Sequence, residues 1–220
     1  MALGDIQAMV NALAKDGGGE ISTADLAQGI AAAVQRYSLD RPFRDVADVI
    51  AVGTLLPLPE AYENDFSVVT QIEAPAGQIP PRTLSSESWY VTATPAGPEI
   101  RTQGEIGAVG TARMRFTRRH VLNEDQDTIP IHDREAVACW AAALVLQGMA
   151  SAKASDRQAT IQADSVDHQA KSNDYAKRAA EMRQVYYTHL GIDPKRQAPA
   201  SAVATVRPTG RLGLLQRGEE

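Results

Sequence analysis

The sequence predicts an α+β fold: a helical bundle of two N-terminal and two C-terminal helices, an inserted small antiparallel β-sandwich, and a flexible C-terminal arm. Three observations carry this expectation. Apolar residues recur every three or four positions at both ends of the chain, they alternate among prolines and glycines between residues 43 and 120, and periodicity stops after Pro194. The boundaries fall at 1–42 for the N-terminal helices, 43–122 for the β-rich insertion, 123–193 for the C-terminal helices that complete the helical body, and 194–220 for an extended basic tail.

Leu3, Ile6, Met9, Val10 and Leu13 mark a short first helix, which Gly17-Gly18-Gly19 would turn, because residues without a Cβ favour turns. Ser22 or Thr23 can cap a second helix whose buried stripe is Leu26, Ile30, Ala33, Val34 and Tyr37. Arg41-Pro42 ends it, since proline drives the preceding residue out of the α region.

The middle of the chain has the grammar of strands. Residues 46–52 read as a buried strand, and Phe66, Val68, Thr70 and Ile72 as the inward face of another. Trp89, Val91 and Ala93 form a third inward face, and Ala112, Met114 and Phe116 alternate with Arg113, Arg115 and Thr117 to form a fourth. Thr94-Pro95-Ala96-Gly97-Pro98 predicts a hairpin turn.

After the acidic turn at 123–127, Asp133 is placed to cap a third helix with Val137, Trp140, Ala141, Leu144, Val145, Gly148 and Met149 on its apolar stripe. That helix is apolar on nearly every side as far as Leu146, so burial on several faces is expected, by its own chain or by a neighbouring subunit. A fourth helix runs from about Asp167 to Leu190, with Tyr175, Ala179, Met182, Tyr186 and Leu190 in register and Asp174 spaced to pair with Lys177 and Arg178. Gly191 and Pro194 stop it. Trp140, Leu144, Tyr175, Met182 and Tyr186 are the expected subunit-interface residues. The tail then becomes Ala, Pro, Arg and Gly, a composition that builds no packed core.

Composition narrows the function classes. The chain of 220 residues can bury one core of ordinary size, yet aromatics are only 5%, so its apolar surface is spread thinly along alanine-rich helices. A net charge of −5 and a pI near 5.4 argue against a body built to grip phosphate backbones. Cys139 is the single cysteine, which excludes an intrachain disulfide framework and points to a reducing compartment. The N-terminus lacks the signature of a signal peptide, and the longest apolar run, 136–146, falls short of the about 18 residues of a membrane span.

Chemistry has few footholds. His120, His132 and Asp133, and the run Asp164, Asp167 and His168, are the only groupings that could serve a metal-dependent hydrolase, and neither has the spacing of a zinc protease or a calcium loop. Nucleophile elbow, phosphate loop and dinucleotide fingerprint are all missing from the sequence. Cys139 sits in an apolar helix, where packing is the simpler role. No catalytic, cofactor or metal-binding residues are therefore expected. The Arg113-Met-Arg-Phe-Thr-Arg-Arg119 run reads as a solvated outer face, whereas a basic tail can order on an acidic partner.

The segments Arg36-Tyr-Ser-Leu-Asp-Arg-Pro42, Phe66-Ser-Val-Val-Thr-Gln-Ile-Glu-Ala-Pro75 with Pro80-Pro81, Thr128-Ile-Pro130 and Ala163-Asp-Ser-Val-Asp-His-Gln-Ala-Lys-Ser172 before a Tyr-rich helix form a set. Together, from about Tyr37 to Gly191, the chain resembles the head-to-tail connector, or neck adaptor, proteins of tailed bacteriophages. The resemblance implies a non-enzymatic virion protein at the head-tail junction that assembles in host cytoplasm. It implies a homo-oligomeric ring, commonly a dodecamer, under the portal protein, a further contact with the next neck or tail protein, and genomic DNA passing the lumen without specific binding. The portal-docking arm would then use Lys195, Arg196, Arg207, Arg211, Leu212, Leu214, Leu215 and Arg217. Another neck-completion protein, a stopper or tail terminator, is the nearest alternative.

Overall fold

A computed structural model of the chain describes residues 2–15, 21–95, 97–104, 106, 110–155 and 162–195. It is mixed α+β, with four α-helices and two small antiparallel sheets. The helices are α1 (Ala2–Leu13), α2 (Thr23–Asp40), α3 (Arg134–Ser155) and α4 (Gln162–Leu190). The strands, all between α2 and α3, are β1 (Phe43–Ala51), β2 (Leu55–Leu56), β3 (Val69–Glu73), β4 (Trp89–Thr94), β5 (Gly97–Thr102) and β6 (Gly110–Arg118). The tri-glycine at 17–19 and the tail residues Arg196, Arg207, Arg211, Leu212, Leu214, Leu215 and Arg217 lie outside the described residues.

The helices start and stop where local chemistry dictates. Ser22 caps α2: its Oγ accepts from Asp25 N–H at 3.0 Å and its hydroxyl donates to the Asp25 carboxylate at 2.7 Å, which holds the cap in place. At the far end of α4, Gly191 adopts φ +68°, and the Ile192 and Gly191 amides donate to the Tyr187 and Thr188 carbonyls. That Schellman closure satisfies carbonyls the helix cannot satisfy itself. Arg178 turns away from the expected Asp174 pairing. Its Nη2 donates to the carbonyls of Leu13 and Lys15, neutralising the C-terminal end of α1.

α3 lies at the centre, packed by α1, α2 and α4. Ala136, Val137, Ala138, Ala141, Ala142, Ala143 and Leu146 on it are almost fully buried, so most of its apolar surface is covered within one chain. The stretch Ile131–Ala154 is in fact long and apolar enough to match a membrane span, because the alanines extend the run past 146, but 61% of its most apolar 18-residue window is buried inside the protein. Tyr186, an expected interface residue, has no exposed surface left to offer a second subunit, and its hydroxyl donates to Asp40 at 2.7 Å. Trp140 is only half-buried, between Tyr186 and Tyr187 with Arg36 and Arg183 over its ring. Tyr175 and Met182 pack partly buried on the same core.

The β region has its own core. One sheet runs β1-β6-β3 and the other β2-β5-β4, and Leu56 and Ile100 of the second meet Ile72, Met114 and Phe116 of the first in one buried cluster. β4 and β5 form the expected hairpin, with Thr94 opposite Gly97. β6 faces as expected, with Ala112, Met114 and Phe116 inward.

Three strand expectations are corrected. β1 begins at Phe43 and is half-exposed: Ala47, Val49 and Ala51 turn inward, while Val46 and Ile50 are 52% and 63% exposed. In β3 a bulge sets Val69 opposite Phe116 and Gln71 opposite Arg115, so the extra residue Thr70 shifts the phase. Val69 and Ile72 are therefore buried while Val68 is 61% exposed. In β4, Val91 and Ala93 are exposed and only Trp89 of the expected face packs on the core.

Candidate functional site

The helical body and the β region meet where α2 passes through Arg41-Pro42 into β1 and where β6 returns through Arg119 and His120. Phe43 and Arg118 are register partners, so the two crossings lie side by side. His120, His132 and Asp133 lie around this junction.

Asp133 does not cap α3. It closes a one-turn 3-10 helix (Ile131–Asp133) and its carboxylate, 1% exposed as a residue, points back into the junction. There Tyr37 Oη–H donates to Oδ2 at 2.6 Å, Arg41 Nη1 donates to the same oxygen at 3.1 Å, and His189 Nε2 lies 2.8 Å from Oδ1. Burial opposes ionisation of this carboxyl, but the hydrogen bonds from Tyr37 and His189 and the charge of Arg41 outweigh it and hold it below the usual carboxylate range. Tyr37 shifts the other way: burial first, then its bond to the carboxylate, pushes the phenol well up. Arg41 also donates through Nη2 to the Leu190 carbonyl at 3.3 Å, tying the end of α4 to the end of α2.

His120 belongs to a separate arrangement. Its Nε2 is 2.9 Å from the Arg41 carbonyl and its Nδ1 is 3.0 Å from both the carbonyl and the Oγ1 of Thr128, while its amide donates to Ser38 Oγ at 2.9 Å. The carbonyls at both nitrogens favour a proton on each, whereas a neutral ring carries one proton and keeps only one of those two bonds. Burial lowers its pKa and favours the neutral ring. His132 is exposed, with Nε2 at 3.7 Å from Asp133 Oδ2. The fold thus brings His132 to Asp133 and leaves His120 on the far side of Tyr37, whose ring centroid is 4.8 Å from the imidazole. Among the described residues no group of three His, Cys, Asp or Glu side chains is placed to hold a metal ion. The backbone of Asp164, Asp167 and His168 is helical in α4, and their side chains lie outside the described ones. Cys139 is buried, and burial, aided by the charge of Glu135, pushes its thiol up to about 11, so it is protonated at neutral pH.

Beside this closed network lies an open groove of about 960 Å³, walled on one side by Arg41, His132 and Asp133 and on the other by the outer face of the first sheet. Arg44, Val46, Gln71, Arg115 and Thr117 contribute from the sheet. Arg113, Arg118 and Arg119 of the basic run pair with Asp48, Asp45 and Glu63. Arg44 and Arg115 make no ion pair among the described residues, and cross-strand register sets Val46 opposite Arg115 and Thr117 opposite Arg44, which puts the two cations on one face. The sequence marked Arg115 only as one of an alternating series. His189, too, was hidden within a helical pattern, with no signal to distinguish it from a solvated residue.

Compared with protein-family models and with curated proteins, the sequence matches none.

Proposed function

We propose that the chain is a structural assembly subunit: a head-to-tail connector that forms a ring under a portal and links a DNA-filled head to the neck or tail. In this reading the four helices act as a ring-forming bundle, the two sheets as an inserted sandwich, and 194–220 as a flexible arm docking on the portal. The motif set between Tyr37 and Gly191 motivates it.

The observation that carries the reading is the contrast at the junction. The buried groups close on one another, whereas Arg44 and Arg115 beside them are open and unpaired among the described residues. An accessible groove in which Arg44 and Arg115 stand beside Asp40, Asp45 and Asp133 suits a polar contact with another protein, the two arginines meeting its carboxylates. Rings follow from heterologous contacts that close. The acidic whole suits a conduit whose lumen is acidic or neutral and does not hold duplex DNA. The six-stranded β region favours a second reading, a stopper or tail terminator, because such proteins are more often compact β folds.

Electron microscopy of the purified protein, alone and mixed with a portal ring, tests the proposal. Rings that cap the portal support it; particles that stay monomeric in both samples rule it out. Truncation after Asp193 tests the arm, which has no docking role if the shortened chain still joins filled heads.

A further inference from the structure

The flank of the helical body carries an apolar groove of about 600 Å³ between the N-terminal half of α2 and the C-terminal half of α3. Ile21, Leu144, Val145 and Met149 line it, and Asp25 and Gln28 stand among its polar residues. Gly29 brings the helices close: a Cβ there would lie 3.0 Å from Val145 Cγ2. Gly148 is different, since a Cβ built on it meets nothing within 4 Å.

We propose that this groove holds the chain's own segment 212–215, Leu-Gly-Leu-Leu, in the free subunit. Composition is the first argument. Leu212, Leu214 and Leu215 are the only leucines after Leu190; Arg211 and Arg217 flank them in the sequence, and the groove carries both Asp25 and Lys153. A cavity of roughly 300–1,000 Å³ is the size that small apolar ligands fill.

Reach is the second. Arg41 ties Leu190 to the end of α2, and from there back to Gly29 is about 18 Å at the rise of an α-helix. Leu212 lies 17 positions after Lys195, and a random coil of that length has a root-mean-square span of about 23 Å. A tether whose typical length matches the gap gives the highest effective concentration, so the groove of the same chain outcompetes that of a second copy. The assignment concerns the subunit before any partner arrives and does not depend on what the arm later meets.

Hydrogen exchange on the full chain tests it. Amides of 212–216 should exchange at least about tenfold more slowly than those of 200–206. The protection should vanish in Gly148→Trp, which fills the groove from an open position, and in Leu214→Asp/Leu215→Asp, which leaves the body untouched. Exchange of 212–216 at the unprotected rate in the wild-type chain, or protection that survives both variants, overturns the proposal. A Gln28→Cys/Leu215→Cys chain should form a disulfide within one molecule on mild oxidation; a covalent dimer as the sole product overturns the intramolecular assignment.

Discussion

Tyr37 donates its hydroxyl to Asp133 at 2.6 Å, joining the last turn of α2 to the short turn that precedes α3. Arg41 and His189 converge on the same carboxylate, so one side chain fixes the ends of three helical segments. Replacing Asp133 by Ala leaves the buried Tyr37 hydroxyl without its acceptor, while the partly exposed Arg41 and His189 can turn to water, so the cost should be about 1–3 kcal/mol. Tyr37→Phe removes one donor and should cost roughly 1–3 kcal/mol. Denaturant unfolding measures both, and an Asp133→Ala change within experimental error would show that the network does not hold the helices.

Acid should unfold the protein in two stages. The folded pKa of His120 is lowered, so the neutral ring contributes stability that is complete above the unfolded value of about 6.5 and is lost as pH falls below it toward the folded value. Asp133 is also lowered, and its contribution is complete above the unfolded carboxyl value of about 3.9 and is lost as pH falls through the folded one. Stability measured from pH 8 to 3 should show the first loss removed in His120→Gln and the second in Asp133→Asn. Unchanged profiles in both variants would contradict the assignment.

Gly191→Ala should destabilise by about 1–2 kcal/mol, because φ +68° places an L side chain in the left-handed region. A Cβ there meets nothing within 4 Å, so the effect comes from the backbone alone and Gly191→Asn should recover much of it. Equal losses for both replacements would point to a contact instead.

Gly29 and Gly148 face each other's helices yet should respond with opposite sign. In helix interiors Gly→Ala gains roughly 0.5–1 kcal/mol, and Gly148→Ala should realise that gain in Tm. Gly29→Ala should lower Tm, since its Cβ meets Val145 Cγ2 at 3.0 Å and the Ala141 carbonyl, a backbone atom fixed in α3, at 3.3 Å. A stabilised Gly29→Ala would mean that α2 and α3 separate easily.

The helices were legible in the sequence because each has a face defined by spacing alone: Leu26, Ile30, Ala33, Val34 and Tyr37 are all buried as their period implies. The strands were less so. In β1 Val46 and Ile50 face outward while Ala47, Val49 and Ala51 face in, so side-chain hydrophobicity did not mark the inner side. In β3 one bulged residue reversed the phase, which no alternation rule reveals. At the junction, Asp133 was visible as a helix-start residue, but its partners Tyr37 and Arg41 lie 96 and 92 positions away. Local pattern carries no information about such pairings. The open cations Arg44 and Arg115 became distinguishable only once register showed which arginines have an acidic neighbour.

The pairing of Phe43 with Arg118 has a consequence for how this architecture can change. The β region leaves and rejoins the helices through two strands about 5 Å apart, and its buried cluster shares no residue with the helical one. It is attached like a cassette. A short turn could close the gap it leaves, so the helices and the β region are free to diverge at different rates and to exchange partners separately.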